Sequence, residues 1–157
     1  MIVKNITWWI CATVAGIFMQ WAIPGVDFLL PAYLVALCER SHVVQLILVF
    51  CLFIIINEGL GTLNFGGMLL WYLAISVLFF IGNKLIHNHF AIFSTILALL
   101  SGCLHYIIIQ CMCDLQNLEF DQEILLYDCC KQVLILPFAW KFLLWTRPAG
   151  FENGFKN

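Results

Sequence analysis

The chain has 157 residues, 64% of them hydrophobic and only 10% charged, and its mean hydropathy is +1.00. A soluble domain carries roughly 25% charged residues, so this composition cannot cover a water-soluble globule and predicts an all-α, polytopic membrane protein of one domain. A net charge of −2 with no basic stripe excludes nucleic acid as a partner.

The first apolar run, 6–23, follows Lys4. It is longer than a signal-peptide core and lacks an A-x-A site, so it is read as a retained first membrane helix. At 1.5 Å per residue it covers about 27 Å, near the hydrocarbon thickness of roughly 30 Å. Trp8, Trp9 and Trp21 lie towards its ends, where indole rings favour the interface. Pro24-Gly25 ends it. The second segment, 26–38, is short, begins beside Asp27 and contains Pro31. It is either a short span or a re-entrant segment shielded by other helices. Segments 43–56 and 67–82 follow as the third and fourth spans, and 90–113 is the clearest of all. Ser94, Ala98 and Gly102 recur every four residues along it and share a face, the small-xxx-small pattern that lets membrane helices pack closely. The sixth span is 131–145, with an earlier start near Ile124 and a bend at Pro137.

Six spans put the N-terminus, Arg40, Lys84, Arg147 and Lys156 on one side. The opposite connections, 24–27, 57–67 and 114–128, carry neither Lys nor Arg, with Lys131 just beyond as the exception. The excess of positive charge marks the cytoplasmic side, so both termini face inward.

The stretch 57–67, Asn-Glu-Gly-Leu-Gly-Thr-Leu-Asn-Phe-Gly-Gly, is the leading candidate for a shaped polar site. Its glycines permit positive φ and close helix approach. Glu58 needs water or a partner at the edge of an apolar helix. Asn57, Glu58, Gly59, Gly61, Asn64 and Gly66, with Asp27, form the candidate ligand or partner contact; the bland alternative is an ordinary loop. Asp27 is read as a solvated carboxylate at a helix start.

Cys111, Cys113, Cys129 and Cys130 flank the acidic connection 114–128. They fit small apolar packing residues, a disulfide between one cysteine of each pair, or, with His105, a soft-metal site. C-x-C and C-C are not the spacings of a common zinc site, so no metal is assigned. His105, inside the fifth span, is a functional candidate by its place in the membrane, or a neutral histidine hydrogen-bonded to a neighbouring helix. No catalytic triad, phosphate loop, dinucleotide fingerprint or zincin motif occurs, so neither enzyme chemistry nor a cofactor is implied.

Residues 17–37, opening Ile-Phe-Met-Gln-Trp-Ala-Ile-Pro-Gly-Val-Asp, resemble the start of the bacterial rod-shape-determining MreD family. Ile56-Asn57-Glu58-Gly59-Leu60-Gly61 and Leu63-Asn64-Phe65-Gly66 resemble that family's acidic, glycine-rich turn, which usually carries Asp where Glu58 stands. Leu136-Pro137-Phe138 through Trp145-Thr146-Arg147 resemble its last helix and basic stop. The resemblance implies a six-helix bundle, similar to the substrate-binding subunits of energy-coupling-factor vitamin transporters, in the bacterial cytoplasmic membrane. It also implies a non-enzymatic scaffold in lateral cell-wall synthesis, with MreC, MreB, a transpeptidase and its polymerase as partners. Two further readings stand beside it: a small-molecule binding subunit of a transporter, and a membrane protein whose polar residues only satisfy packing.

Overall fold

A computed structural model describes residues 2–39, 43–60, 66–85, 90–119 and 121–147, without the side chains of 2–4 and 60. Six helices follow one another: α1 (Ile2–Ala22), α2 (Leu29–Cys38), α3 (Val43–Leu60), α4 (Gly67–Leu85), α5 (Phe90–Gln116) and α6 (Gln122–Thr146). Among the described residues, α4 and α5 are long and apolar enough to cross a membrane; α2 and α3 are apolar but shorter.

Local chemistry sets most of the boundaries. Pro24 and Gly25, the latter at φ +86°, terminate α1. Pro31 lies in the first turn of α2, where a missing N–H leaves no helical hydrogen bond unmade, so it starts the helix rather than weakening it. α5 ends in a Schellman motif. Asn117 takes φ 52°, its N–H bonds the Asp114 carbonyl at 3.4 Å, and the Leu118 N–H bonds the Cys113 carbonyl at 3.0 Å. Asp121 then caps α6, accepting from the N–H groups of Glu123 at 2.9 Å and Ile124 at 3.5 Å.

Two expected connections are therefore shorter than the sequence suggests. The acidic segment 114–128 is largely helix, because a Schellman stop and an Asp N-cap turn the chain within a few residues. The stretch 57–67 is not a loop throughout: 57–60 form the last turn of α3. Gly61 and Asn64 lie outside the described residues, as do Arg40 and the tail 148–157.

α2 occupies the centre. All ten of its residues are buried, and it packs against α1, α3, α4 and α6, while α5 packs on α4 and α6. A short helix enclosed by protein need not match a bilayer's thickness, which accounts for its length. The deepest packing joins α4, α5 and α6 through Phe79, Phe93 and Trp140, with ring centroids 5.6 Å (Phe79–Phe93) and 5.9 Å (Phe93–Trp140) apart.

At the end of the bundle where α2 and α6 finish, Glu39 receives the guanidinium of Arg147 in a buried two-point ion pair, with Nη2 to Oε2 at 2.8 Å. The Arg147 guanidinium lies 4.3 Å from the Trp8 ring and 5.2 Å from the Trp9 ring. The pair thus fastens α1, α2 and α6 together. Arg147 is more than a basic stop.

Ser94, Ala98 and Gly102 are all buried in the bundle. A Cβ on Gly102 would stand 2.4 Å from Val133 Cγ2 and 3.4 Å from the Cys129 carbonyl oxygen, so α5 and α6 are in contact here. Among the described residues, nothing lies within 4 Å of a Cβ built on Gly59. Gly102→Leu is therefore expected to destabilise the bundle by about 1–3 kcal/mol through overpacking. Gly59→Ala should be neutral or stabilising by about 0.5–1 kcal/mol. Thermal unfolding of both variants in detergent checks the contrast.

Candidate functional site

Asp27 leaves the α1–α2 connection and points into the bundle, where only 6% of its surface is exposed. Its Oδ1 accepts from Gln20 Nε2 at 2.8 Å, Leu29 N at 2.8 Å and Leu30 N at 3.2 Å. Its Oδ2 accepts from Tyr72 Oη at 2.6 Å and Asn57 Nδ2 at 3.0 Å. Its own N–H donates to Gln132 Oε1 at 2.7 Å. One residue thus ties together α1, α2, α3, α4 and α6.

The network extends past the carboxylate. Gln20 Nε2 also donates to Asn57 Oδ1 at 2.8 Å, and Asn57 Nδ2 also donates to Tyr72 Oη at 3.0 Å. All five contacts on the carboxylate come from donors, a set suited to its ionised form. The expectation of a solvated carboxylate is corrected: Pro24-Gly25 turns the chain so that Asp27 faces inward, and each lost water is replaced by a protein donor. Asp27 still serves a helix start, bonding the first two N–H groups of α2.

Glu58 stands apart from this network. Its Oε1 accepts from Gly66 N at 2.8 Å and Leu69 N at 3.4 Å, so it caps the start of α4 from the last turn of α3. Its Oε2 is buried without a hydrogen-bond partner among the described residues. Asn57 and Glu58 are neighbours in sequence that serve different ends: one joins the Asp27 network, the other closes the α3–α4 corner. Gly66, at φ +123°, turns the chain at this corner.

A cavity of about 650 Å³ opens beside the network. Gln20, Asp27, Asn57, His105 and Asp128 supply its polar wall. Asp128 packs on Gly25, where a Cβ would fall 2.1 Å from its Cγ, and pairs with Lys131 at 2.7 Å. The same ammonium donates to the Pro24 carbonyl at 2.8 Å. Lys131, the exception in the charge pattern, is thus neutralised locally and anchors α6 to the end of α1.

His105 lies edge-on to Trp71, centroids 4.4 Å apart. Its Nδ1 is buried and has no hydrogen-bond partner among the described residues. Trp71, 1% exposed, donates to the Ser101 carbonyl at 3.2 Å.

All eight cysteines are free thiols. Cys113 and Cys129 are buried while Cys111 and Cys130 are exposed, and none of the four is bridged to another. No group of three His, Cys, Asp or Glu side chains is placed to hold a metal among the described residues.

Sequence reasoning passed over Gln20, Tyr72 and Gln132. Their signal was available: each is a polar or hydroxyl-bearing residue inside a helix rich in apolar residues, where an unpaired hydrogen-bonding group is costly when buried. No family model, curated protein or solved structure matches this chain.

Tyr72→Phe removes one charge-assisted bond and is expected to cost about 1.5–3 kcal/mol. Asp27→Asn turns donors toward donors and should cost about 3 kcal/mol or more. Combined, the two should cost less than their sum, because the same bond is lost in both. A double-mutant cycle on unfolding in detergent reads that coupling.

Proposed function

We propose that this chain is an integral membrane protein with all six helices in the bilayer and both termini in the cytoplasm. The observation that carries this reading is its inverted surface. Phe18, Val43, Leu48, Ile55, Phe80 and Phe138 are more than half exposed, whereas Asp27, Asn57, Ser101 and Gln132 are buried. Water would face an apolar area far larger than soluble monomers expose; lipid removes that difficulty. α1 and α3 then lie against lipid on one side and protein on the other, and α2 touches protein alone.

Within the membrane the chain acts as a non-enzymatic scaffold. Most of the buried polar groups around Asp27 hold helices together, and the outer apolar faces of α3 and α4 are free to meet partner helices. The resemblance to the rod-shape-determining MreD family supplies the setting: the bacterial cytoplasmic membrane, lateral peptidoglycan synthesis, and MreC, MreB and the cell-wall synthases as partners. The cavity beside Asp27 favours a second reading, a small-molecule binding subunit of a transporter, since roughly 300–1,000 Å³ is the range of ligand pockets.

Mild-detergent purification of the tagged protein from native membranes, with mass spectrometry of its companions, separates the two. Elongation proteins in stoichiometric amounts are the expected result. An ATPase module in their place overturns the scaffold in favour of the transporter subunit.

A further inference from the structure

The cavity joins polar and apolar walls in a way the bundle itself does not need. Ile17, Phe18, Trp21, Met68 and Leu125 form its apolar side, and two of these rings, Phe18 at 67% and Trp21 at 87% exposure, stand at the bundle's surface. Among the described residues, the polar side holds two carboxyl groups and no Lys or Arg. Asp128 has its counter-charge in Lys131. Asp27 has hydrogen-bond donors but, among the described residues, no cation paired with it. The cavity wall thus holds one carboxyl group with no cation beside it among the described residues, in surroundings where charge is weakly screened.

Two further atoms of the wall lack partners. Gln20 Oε1 is an acceptor with no donor, because the amide's Nε2 is committed to Asp27 and Asn57. His105 Nδ1 is likewise unpartnered. Native structures leave few such atoms unsatisfied, and each calls for a partner, either water or a bound molecule. An anion here would meet two carboxylates. A neutral apolar molecule would leave both orphan atoms as they are. A protonated amine supplies positive charge and several donors at once, and aromatic rings beside it attract a cation further.

We propose that this cavity binds an organic ammonium: a protonated primary amine carried on an apolar body. The amine lies toward Gln20, Asp27 and His105, and the body lies against Phe18, Trp21 and Leu125. The chemistry has two natural sources, a soluble arylalkyl amine or the headgroup of an aminophospholipid entering from the bilayer. The site is compatible with either reading of the function.

The test uses the purified full chain with three probes that share a ring and differ in charge: phenethylamine, phenethyl alcohol and phenylacetate. Phenethylamine is expected to raise the thermal midpoint and to bind roughly tenfold or more tighter than the alcohol, with no response to phenylacetate. Leu125→Trp, which fills the cavity, should abolish the amine response. Should that variant fail to fold, Phe18→Ala at an exposed position should weaken binding without loss of fold. Equal responses to all three probes, or amine binding unchanged by the folded variants, overturn the proposal. Nanodiscs of phosphatidylethanolamine and phosphatidylcholine then assign the source. Weaker amine binding in the first supports the site with the lipid headgroup as competitor; equal binding supports it with a soluble amine. Because binding is read on the isolated chain, its failure leaves the scaffold reading, which co-purification tests, untouched.

Discussion

Everything in this bundle is arranged around the need to keep one carboxylate content away from water. Asp27 is withdrawn from solvent at a turn, and an ionised carboxylate so placed is tolerable only when its lone pairs are filled. Five donors fill them, from α1, from the first turn of α2, from α3 and from α4. The requirement also works in reverse. Under the membrane reading, apolar packing between helices discriminates poorly among rotations and registers, because lipid tails are as apolar as leucine side chains. A buried acceptor with fixed donors does discriminate: rotating α4 withdraws the Tyr72 hydroxyl, and sliding α3 withdraws the Asn57 amide. The carboxylate therefore sets alignment, while the aromatic packing of Phe79, Phe93 and Trp140 supplies bulk cohesion.

The opposite end uses different chemistry for a similar purpose. Glu39 and Arg147 neutralise one another, and the flat guanidinium leans on Trp8 and Trp9. Guanidinium suits this position because it is planar, weakly hydrated and able to bind carboxylate and aromatic ring together. The two polar clusters sit at the two ends of α2, one before its first residue and one just after its last. Between them this helix is held axially, and its residues fill space apart from Tyr33, whose hydroxyl bonds Ser76 on α4 at 2.6 Å.

Much of this architecture was legible in the chain itself, and what was hidden has a common cause. Six helices follow from apolar runs separated by Pro-Gly, polar and acidic breaks, and the small face at Ser94, Ala98 and Gly102 follows from its four-residue spacing. Helix ends were harder, because caps lengthen helices into polar sequence: Asp121 carries α6 back through residues that read as an acidic loop, and Asn57 and Glu58 extend α3 into a glycine-rich stretch. The network around Asp27 was the least visible. Local sequence places that residue after a Pro-Gly turn, where carboxylates are usually wet. Its partners lie at separations from 2 to 105 residues, and no local pattern encodes such pairings. The glycine-rich stretch drew attention by composition, yet of its residues it is Asn57, the least unusual, that reaches the central network.

The enclosed second helix has a consequence for how the protein is made. At about 15 Å it is half the length a bilayer demands of a segment inserted alone, and an acid, Asp27, stands just before it. It is apolar but too short to span the hydrocarbon layer alone, so its ends need neighbours to shelter them. Under the membrane reading, α2 is therefore a late passenger, drawn in when α3, α4 and α6 present the side chains that close around it. Under that reading the N-terminal part of the bundle depends on α6, far along the chain, for part of its shelter.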